Sequence, residues 1–287
     1  MDEAAIDWLI GQVLESLARQ QPITPAALTF LLRRYAATGA EAVGEALGSA
    51  LAAALEGAAA VEESREQAEW LSLFVEAAAI SEDDRLRDRA AALVSRLRSD
   101  WPARGELEPA VRSVDACLSA ASTLPDLFNP RELVPAAIDE LEHVVRVVYQ
   151  PGGGLAHALR APQGARGTLI DHVATASALL TAYAITGRLP YSMLAEELMQ
   201  FAQRTNAEPG ASNLERFVAR SEAARVLCRL AKLHEDADYR QVAVIAVSSD
   251  YANDAKRTLA ELACTYLDHG ADAAIFGIAL GELGDLR

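Results

Sequence analysis

The amino-acid sequence predicts an all-α fold in which tandem αα-hairpins close into an (α/α)6-like toroid. The first observation behind this prediction is a repeat: Leu179–Ala195 reads LLTAYAITGRLPYSMLA, and Leu31–Gly39 matches its first nine residues at six positions. Leu227–Ala243 repeats the pattern 48 residues further on, and Phe74–Ala90 is a fourth copy. Copies of helix, turn and second helix with a period of about 43 to 60 residues are typical of αα-hairpin arrays.

The second observation is the number of hairpins. Turns are predicted near residues 39, 82, 126, 187, 235 and 270, which gives six hairpins after one extra N-terminal helix. Two architectures use such hairpins: an open superhelical solenoid, and a closed toroid in which the more apolar first helices line the inside. The count of six and the variable spacing between hairpins favour the closed form. We therefore expect a single toroid domain over residues 1–287.

The helices of the N-terminal half follow from apolar spacing and from capping residues. Residues 3–19 carry apolar side chains at spacings of three and four, which predicts an amphipathic helix. Thr24 and Pro25 form an N-cap and a first-turn proline for a helix to about residue 38, and Gly39 is its left-handed stop. Further helices are predicted at 41–57, 66–80, 83–98, 106–122 and 131–149.

Gln150–Gly167 is the long irregular segment of the sequence, with five glycines and two prolines. A loop of this length inside a helical domain is usually functional or disordered. Its run of three glycines predicts a sharp return of the chain and not a phosphate loop, because no Gly-Lys-Ser/Thr follows. Val242–Val247 has the β-branched content of a strand, but the repeat places it on a helix. Helices are predicted at about 168–186, 190–205, 213–234, 237–249, 253–268 and 271–283.

Composition limits the partners and the compartment. The net charge is −15, with 41 acidic and 26 basic residues, which argues against nucleic acid or an anionic membrane as a partner. Cys117, Cys228 and Cys264 lack the spacing of metal ligands or of a CxxC motif, so no metal site and no cofactor are predicted. The sequence shows neither a signal peptide nor a charge-free apolar run of about 18 residues, so we expect a cytoplasmic protein.

Four segments of the C-terminal half resemble a known family. Leu169-Ile170-Asp171-His172 corresponds to the family's acidic start of an inner helix, and Ala178–Gly187 to its small-residue run that ends in Tyr-x-x-Thr-Gly. Tyr191–Ala195 corresponds to Tyr-x-x-x-Ala, and Ser221–Arg240 resembles the next hairpin. Residues 130–283 are thus similar to the six-hairpin-glycosidase-like helical toroid in the C-terminal half of a bacterial thioredoxin-domain family, which is related to the spermatogenesis-associated thioredoxin-like protein.

The resemblance implies the toroid fold and a preference for sugars, but not a reaction. This sequence shows no thioredoxin-like domain and no CxxC motif. His172 stands where the family usually carries a second acid or a glutamine. For these reasons the activity of the family is not transferred to this chain.

The candidate site residues lie at the predicted N-terminal ends of inner helices, where long loops enter such a toroid. Free N–H groups and the helix dipole favour anionic or hydroxyl-rich ligands there. Asp171 and His172 are the candidate catalytic residues, Asp171 as general acid or base and His172, or His157, as proton shuttle. The alternative interpretation is a first-turn acid favoured by the helix dipole, with both histidines at ordinary loop positions. The candidate ligand-binding residues are His157, Asn213, Glu215 and Arg216.

Two function hypotheses follow. The first is a non-catalytic or degenerate binding or scaffold domain that binds a sugar-like or other small polar ligand in its funnel, and it is compatible with a protein partner. The second is a carbohydrate-active enzyme of glycoside hydrolase or sugar epimerase type, using Asp171 with a histidine or with a second acid such as Glu215. The scarcity of aromatic residues on the inner helices weakens the sugar hypothesis. We expect residues 150–167 to cover the open end of the toroid above Asp171 and His172, and Asp171→Asn to weaken binding with little loss of stability.

Overall fold

The structure is a computed structural model that is helical through most of its length. It describes residues 3–57, 61–81, 83–101, 105–160, 165–204, 211–242 and 249–286. The chain divides into two compact units. The terminal unit comprises Met1–Ala52 and Ala207–Arg287, and the central unit comprises Ala53–Asn206.

The helix bounds agree closely with the predicted ones except near the C-terminus. The helices are α1 (Glu3–Ala18), α2 (Pro25–Thr38), α3 (Glu41–Gly57), α4 (Ser64–Ile80), α5 (Asp84–Asp100), α6 (Leu107–Thr123), α7 (Pro130–Val148), α8 (Leu169–Thr186), α9 (Leu189–Arg204), α10 (Asn213–Leu233), α11 (Ala237–Val242), α12 (Tyr251–Leu262) and α13 (Ala274–Gly284). Strands β1 (Tyr149–Gln150) and β2 (Gly154–Leu155) follow α7, and a 3-10 segment, Tyr266–Ala273, precedes α13. The predicted helix 237–249 and the strand alternative at 242–247 extend over residues 243–248, which lie outside the described residues.

The caps that the sequence predicts are present in both of the best-matching repeat copies. Thr24 Oγ1 accepts a hydrogen bond from the N–H of Ala27 at 3.3 Å, and Pro25 opens α2. Gly39 and Gly187 end α2 and α8 with φ of 65° and 67°, and the N–H of each donates to a carbonyl four residues earlier. A positive φ is free of strain only for glycine, so the repeated glycine produces the same helix stop twice.

The central unit is built from three αα-hairpins. Helices α4, α6 and α8 pack side by side in one layer, and each packs against the helix that follows it in sequence, α5, α7 or α9. Among the described residues, Leu169–Thr186 is the one helix whose length and composition would suit a membrane span. It is α8, which packs between α6 and α9, so its apolar composition matches a position in the core.

The terminal unit corrects the prediction for the last hairpin. The sequence predicts two helices here, at about 253–268 and 271–283, with a turn near residue 270. In the structure α12 ends at Leu262 and packs on α10, whereas the first seven residues of α13 are apolar and buried, and α13 lies between α10 and α2. The N-terminal helix α1 packs against α13 and the 3-10 segment. A Cβ added at Gly277 would lie 2.6 Å from the Phe30 ring and 2.8 Å from Leu9, so this glycine permits the close approach of three helices.

A charged cluster also connects α2, α10 and α13. Glu282 receives two-point hydrogen bonds from the Arg225 guanidinium at 2.8 to 3.1 Å and a third contact from Arg33 at 2.7 Å. Burial alone would raise the pKa of Glu282, but the two guanidiniums outweigh burial and lower it. The carboxylate therefore stays charged and joins three helices of the terminal unit.

Candidate functional site

The segment after α7 is ordered by backbone pairing. Strands β1 and β2 form an antiparallel hairpin, and Gly152 in the turn between them has a φ of 71°. This confirms the predicted sharp return at the glycine run. Beyond β2, Ala156 pairs with Arg166 and Ala158 pairs with Glu106. The described part of the segment therefore lies between the start of α6 and the residues that enter α8.

Asp171 is the most completely buried acid of this region, with 0% exposure. One of its carboxylate oxygens, Oδ2, accepts hydrogen bonds from the backbone N–H of Thr168 at 2.8 Å and from the Thr168 hydroxyl at 2.9 Å. The same oxygen is 2.8 Å from Nδ1 of His157. A carboxylate in the third position of a helix that accepts from the N-cap N–H is one half of a capping box. Asp171 thus ties the segment after β2 to the start of α8.

Two backbone hydrogen bonds and one side-chain contact hold His157. Its backbone N–H donates to Ala165 and its carbonyl accepts from Leu107, both at 3.0 Å. Because a carboxylate only accepts hydrogen bonds, the contact with Asp171 makes His157 Nδ1 the donor and leaves Nε2 as an acceptor in the neutral ring. The hydrogen bond from His157 to Asp171 raises the pKa of His157, and Glu106 and Glu108 at the start of α6 add to this. The side chain is 39% exposed, so part of the ring reaches the surface.

His172 lies beneath the same segment but uses both ring nitrogens internally. Its Nε2 accepts from the N–H of Leu155 at 3.1 Å, and its Nδ1 lies 2.7 Å from the carbonyl of Thr168 and donates to it. The ring is 2% exposed and stacks on Phe201 at 5.1 Å between centroids. Burial lowers the pKa of His172. The geometry favours a neutral histidine that fixes β2 to α8, and the predicted role as proton shuttle stays a prediction.

The lowered pKa of His172 gives a pH prediction for stability. The folded state prefers the neutral ring, so its contribution is fully present above the unfolded pKa of about 6.5 and is lost as pH falls below that value. We expect the free energy of unfolding to decrease between about pH 7 and pH 5 by at most about 1.4 kcal/mol per pH unit from this group. Urea unfolding of the wild type and of His172→Asn at several pH values measures it. If the free energy of unfolding decreases equally with falling pH in both proteins, the prediction is wrong.

The other predicted ligand-binding residues form a separate cluster at the start of α10. The N–H of Ser212 donates to Glu215 Oε2 at 2.7 Å, and the N–H of Glu215 donates to the Ser212 hydroxyl at 3.1 Å, which completes a reciprocal capping box. Arg216 donates to the Asn213 side chain at 3.0 Å. All of these residues are exposed. The structure brings Asp171, His172 and His157 together in the central unit, and the ligand roles of Asn213, Glu215 and Arg216 stay predictions.

A second feature of the central unit is a polar stripe on each of the helices α4, α6 and α8, which are otherwise buried. Between residues 67 and 78, the partly exposed residues of α4 are all polar, and residues 110–121 of α6 repeat the same exposure pattern. We call this set of side chains the polar wall. It consists of Arg65, Glu69, Ser72 and Glu76 on α4, Glu108, Arg112, Asp115 and Ser119 on α6, and Ser177 and Thr181 on α8.

Contacts between neighbouring helices connect the polar wall. Arg65 lies 3.4 Å from Glu108 and joins α4 to α6, and Arg112 is also bonded to Glu108. Further along the helices, the Ser177 hydroxyl donates to Asp115 Oδ2 at 2.8 Å and joins α6 to α8. Since an α-helix rises about 1.5 Å per residue, this second contact lies about 10 Å from the first. The stripes therefore face the same side of the layer along about two helical turns.

The polar wall was not among the features predicted from sequence, although the sequence carries a signal for it. Glu69, Ser72 and Glu76 recur at spacings of three and four inside an apolar helix, and Arg112, Asp115 and Ser119 recur in the same way. Such a spacing puts the three side chains on one helix face. On a helix that is buried elsewhere, that face is the accessible one.

Comparisons with known proteins identify the fold. No protein-family model matches the chain, and no curated protein matches it. The GH76A α-1,6-mannanase from Salegentibacter sp. HEL1_6 aligns with a TM-score of 0.66 and 11% sequence identity, covering 97% of this chain and 99% of that chain. The Lin0763 protein from Listeria innocua aligns with a TM-score of 0.64 and 10% identity, covering 98% and 97% of the two chains.

At such low identity, the likeness to these structures shows the fold alone. The mannanase is a helical-toroid glycosidase with the six-hairpin fold, so the predicted all-α toroid fold class is confirmed. The relationship to the thioredoxin-domain family stays a prediction, and so does the single domain over residues 1–287.

Proposed function

We propose that this protein is a carbohydrate-binding domain whose central unit holds a hydroxyl-rich ligand along the polar wall. The observation that carries the proposal is the wall itself, which displays carboxylates, guanidiniums and hydroxyls on three adjacent helices that are largely buried elsewhere. Sugar hydroxyls both donate and accept hydrogen bonds, so a row of mixed polar groups on a rigid support suits them. The fold shared with a mannanase is consistent with such a ligand.

The wall is a rigid binding surface because its side chains project from packed helices and not from loops. Asp115 lies near its middle, and its Oδ2 is already placed by the Ser177 hydroxyl. A ligand that binds there meets a preorganised carboxylate, which reduces the entropy cost of binding. Asp115→Asn keeps the size of this side chain and removes its charge, so it is the sharpest single change in the wall.

The test is a screen of neutral saccharides by thermal shift, followed by calorimetry on those that bind. The panel includes α-1,6-linked manno-oligosaccharides, because the mannanase with this fold acts on that linkage. We expect Asp115→Asn to weaken binding by about tenfold, the value of one hydrogen bond to a charged group. Asp88→Asn on α5 is the matched control, since Asp88 is exposed and lies outside the wall. If no saccharide in the panel binds, the proposal is wrong.

A catalytic alternative has one specific observation in its favour, the pair formed by His157 and Asp171. A buried carboxylate that fixes one histidine nitrogen and leaves the other accessible is a suitable arrangement for proton transfer. The alternative expects the wild type to hydrolyse aryl glycosides or to epimerise reducing sugars. His157→Gln would then abolish turnover while calorimetry still detects saccharide binding. Turnover unaffected by His157→Gln would exclude this alternative.

We also propose a relationship to the thioredoxin-domain family and a cytoplasmic location. Both rest on the sequence alone. Fractionation of cells that express the full chain tests the location, and recovery of the chain outside the cytoplasmic fraction would contradict it.

A further inference from the structure

Two histidines fix the same short segment, residues 154–158, to the start of α8. His172 Nε2 accepts from the N–H of Leu155 at 3.1 Å, and His157 Nδ1 lies 2.8 Å from Asp171 Oδ2. Both contacts use an imidazole nitrogen, whose donor and acceptor roles change when the ring is protonated. The attachment of the segment therefore depends on the charge of each ring.

The contact of His157 is strongest when its ring is charged. Asp171 is 0% exposed, so its carboxylate faces the imidazole with little screening by water. The hydrogen bond to Asp171 raises the pKa of His157 more than burial lowers it, and the charges of Glu106 and Glu108 add to the increase. Loss of the ring charge leaves a neutral hydrogen bond, which is weaker than a charge-assisted one.

The basic side chains around this contact are paired or exposed. Arg65 and Arg112 are both bonded to Glu108. Arg160 and Arg166, on the same stretch of chain as His157, are exposed to solvent, which screens their charges. The buried carboxylate of Asp171 therefore has the larger influence on His157.

The contact of His172 requires the neutral ring. Its Nδ1 donates to the carbonyl of Thr168, so Nε2 is free to accept from Leu155 only while it carries no proton. Protonation would place two N–H groups against each other and break this bond. The ring is 2% exposed and stacks on Phe201, and burial lowers the pKa of His172 more than the neighbouring charge of Asp171 raises it.

We propose that residues 154–158 form a pH-controlled latch, which is held most tightly when His157 is charged and His172 is neutral. As pH rises, His157 loses its charge and the contact with the carboxylate weakens. As pH falls, His172 gains a proton and β2 loses its acceptor. Since Glu108 of the polar wall acts on His157, the latch lies beside the wall at the start of α6. The inference goes beyond the proposed function because the latch needs no ligand.

The opposite pKa shifts of the two histidines give the latch a maximum of stability. The pKa of His157 is raised, so its contribution is complete below the ordinary value of about 6.5 and is lost as pH rises above it. The pKa of His172 is lowered, so its contribution is complete above about 6.5 and is lost as pH falls. The free energy of opening the latch is therefore largest near pH 6.5, or about that, and decreases in both directions.

Native-state hydrogen exchange of the full chain measures this opening. The amides of Leu155, His157 and Gly167 report on the latch, because each is bonded within it or to it, and amides in the middle of α6 report on global unfolding. After correction for the intrinsic exchange rate at each pH, we expect protection of the latch amides to be largest near pH 6.5, or about that, relative to α6. It should fall by about threefold or more towards pH 5 and towards pH 8, as a pKa shift of about half a unit requires.

Three variants assign the two arms of this profile. His157→Asn keeps a side-chain N–H for Asp171 but cannot be charged, so it should remove only the alkaline decrease. His172→Asn should remove only the acid decrease. His143→Asn is the matched control, since His143 is exposed on α7 and lies outside the latch, and it should leave both arms unchanged.

NMR titration of the histidine ring signals in the wild type tests the same inference without relying on the folding of any variant. His157 must titrate above about pH 6.5 and His172 below it. If both rings titrate on the same side of that value, the latch is wrong. Protection that stays constant relative to α6, or an alkaline decrease that persists in His157→Asn, also overturns it. If His143→Asn changes the profile as much as His157→Asn does, the effect comes from overall charge and the assignment to His157 is wrong.

Discussion

Gly154→Ala is expected to destabilise the protein by about 3 kcal/mol or more. Gly154 has a φ of 78°, where a side chain costs about 1–2 kcal/mol. Its added Cβ would lie 2.5 Å from the Phe201 ring and 2.7 Å from Nε2 of His172. The two rings stack on each other, and His172 Nε2 is hydrogen-bonded to Leu155 of β2. Overpacking at this position costs about 1–3 kcal/mol more.

The matched control for this substitution lies two residues earlier in the same hairpin. Gly152 has a similar φ of 71°, but nothing lies within 4 Å of an added Cβ. Gly152→Ala therefore bears only the backbone cost of about 1–2 kcal/mol. Urea unfolding of the three proteins at neutral pH measures the difference. Equal destabilisation by the two substitutions would mean that the close approach of Gly154 to His172 does not contribute to stability.

Asp171→Asn is expected to lower the free energy of unfolding by about 2 kcal/mol. The carboxylate accepts three hydrogen bonds on one oxygen without exposure to solvent, and hydrogen bonds to a charged group contribute about 1.5–3 kcal/mol. From the sequence we expect Asp171→Asn to cause little loss of stability. The burial of Asp171 in the structure raises the expected loss. An accessible first-turn acid would tolerate the exchange, but a buried one that ties a loop to a helix would not.

Glu215→Gln provides the comparison, because Glu215 holds the same capping position at the start of α10 but is exposed. We expect it to cost only about 0.5–1 kcal/mol. Thermal and urea unfolding of both variants give the two values. If Asp171→Asn costs no more than Glu215→Gln, the three hydrogen bonds of Asp171 do not stabilise the segment after β2, and its assignment as an anchor is wrong.

Part of the candidate site could have been predicted from local sequence. Thr168-Leu169-Ile170-Asp171 and Ser212-Asn213-Leu214-Glu215 both show the spacing of a capping box, in which an N-cap hydroxyl residue precedes an acid by three positions. This spacing favours a structural role for Asp171 and Glu215. The contact between His157 and Asp171 could not be predicted in the same way, because it depends on how residues 154–160 pair with the residues before α6 and α8.

The sequence by itself determined the helices, their caps and the repeat, since these depend on apolar periodicity and on residues only three or four positions apart. Gly39 and Gly187 end their helices whatever surrounds them, because a left-handed φ is accessible to glycine at little cost. Tertiary structure decided the pairing of α1 with α13, the exposure of His157 and burial of His172, and the polar wall. Each of these depends on which surfaces meet across long stretches of chain, whereas a local pattern such as the polar spacing on α4 and α6 specifies only one face of a single helix.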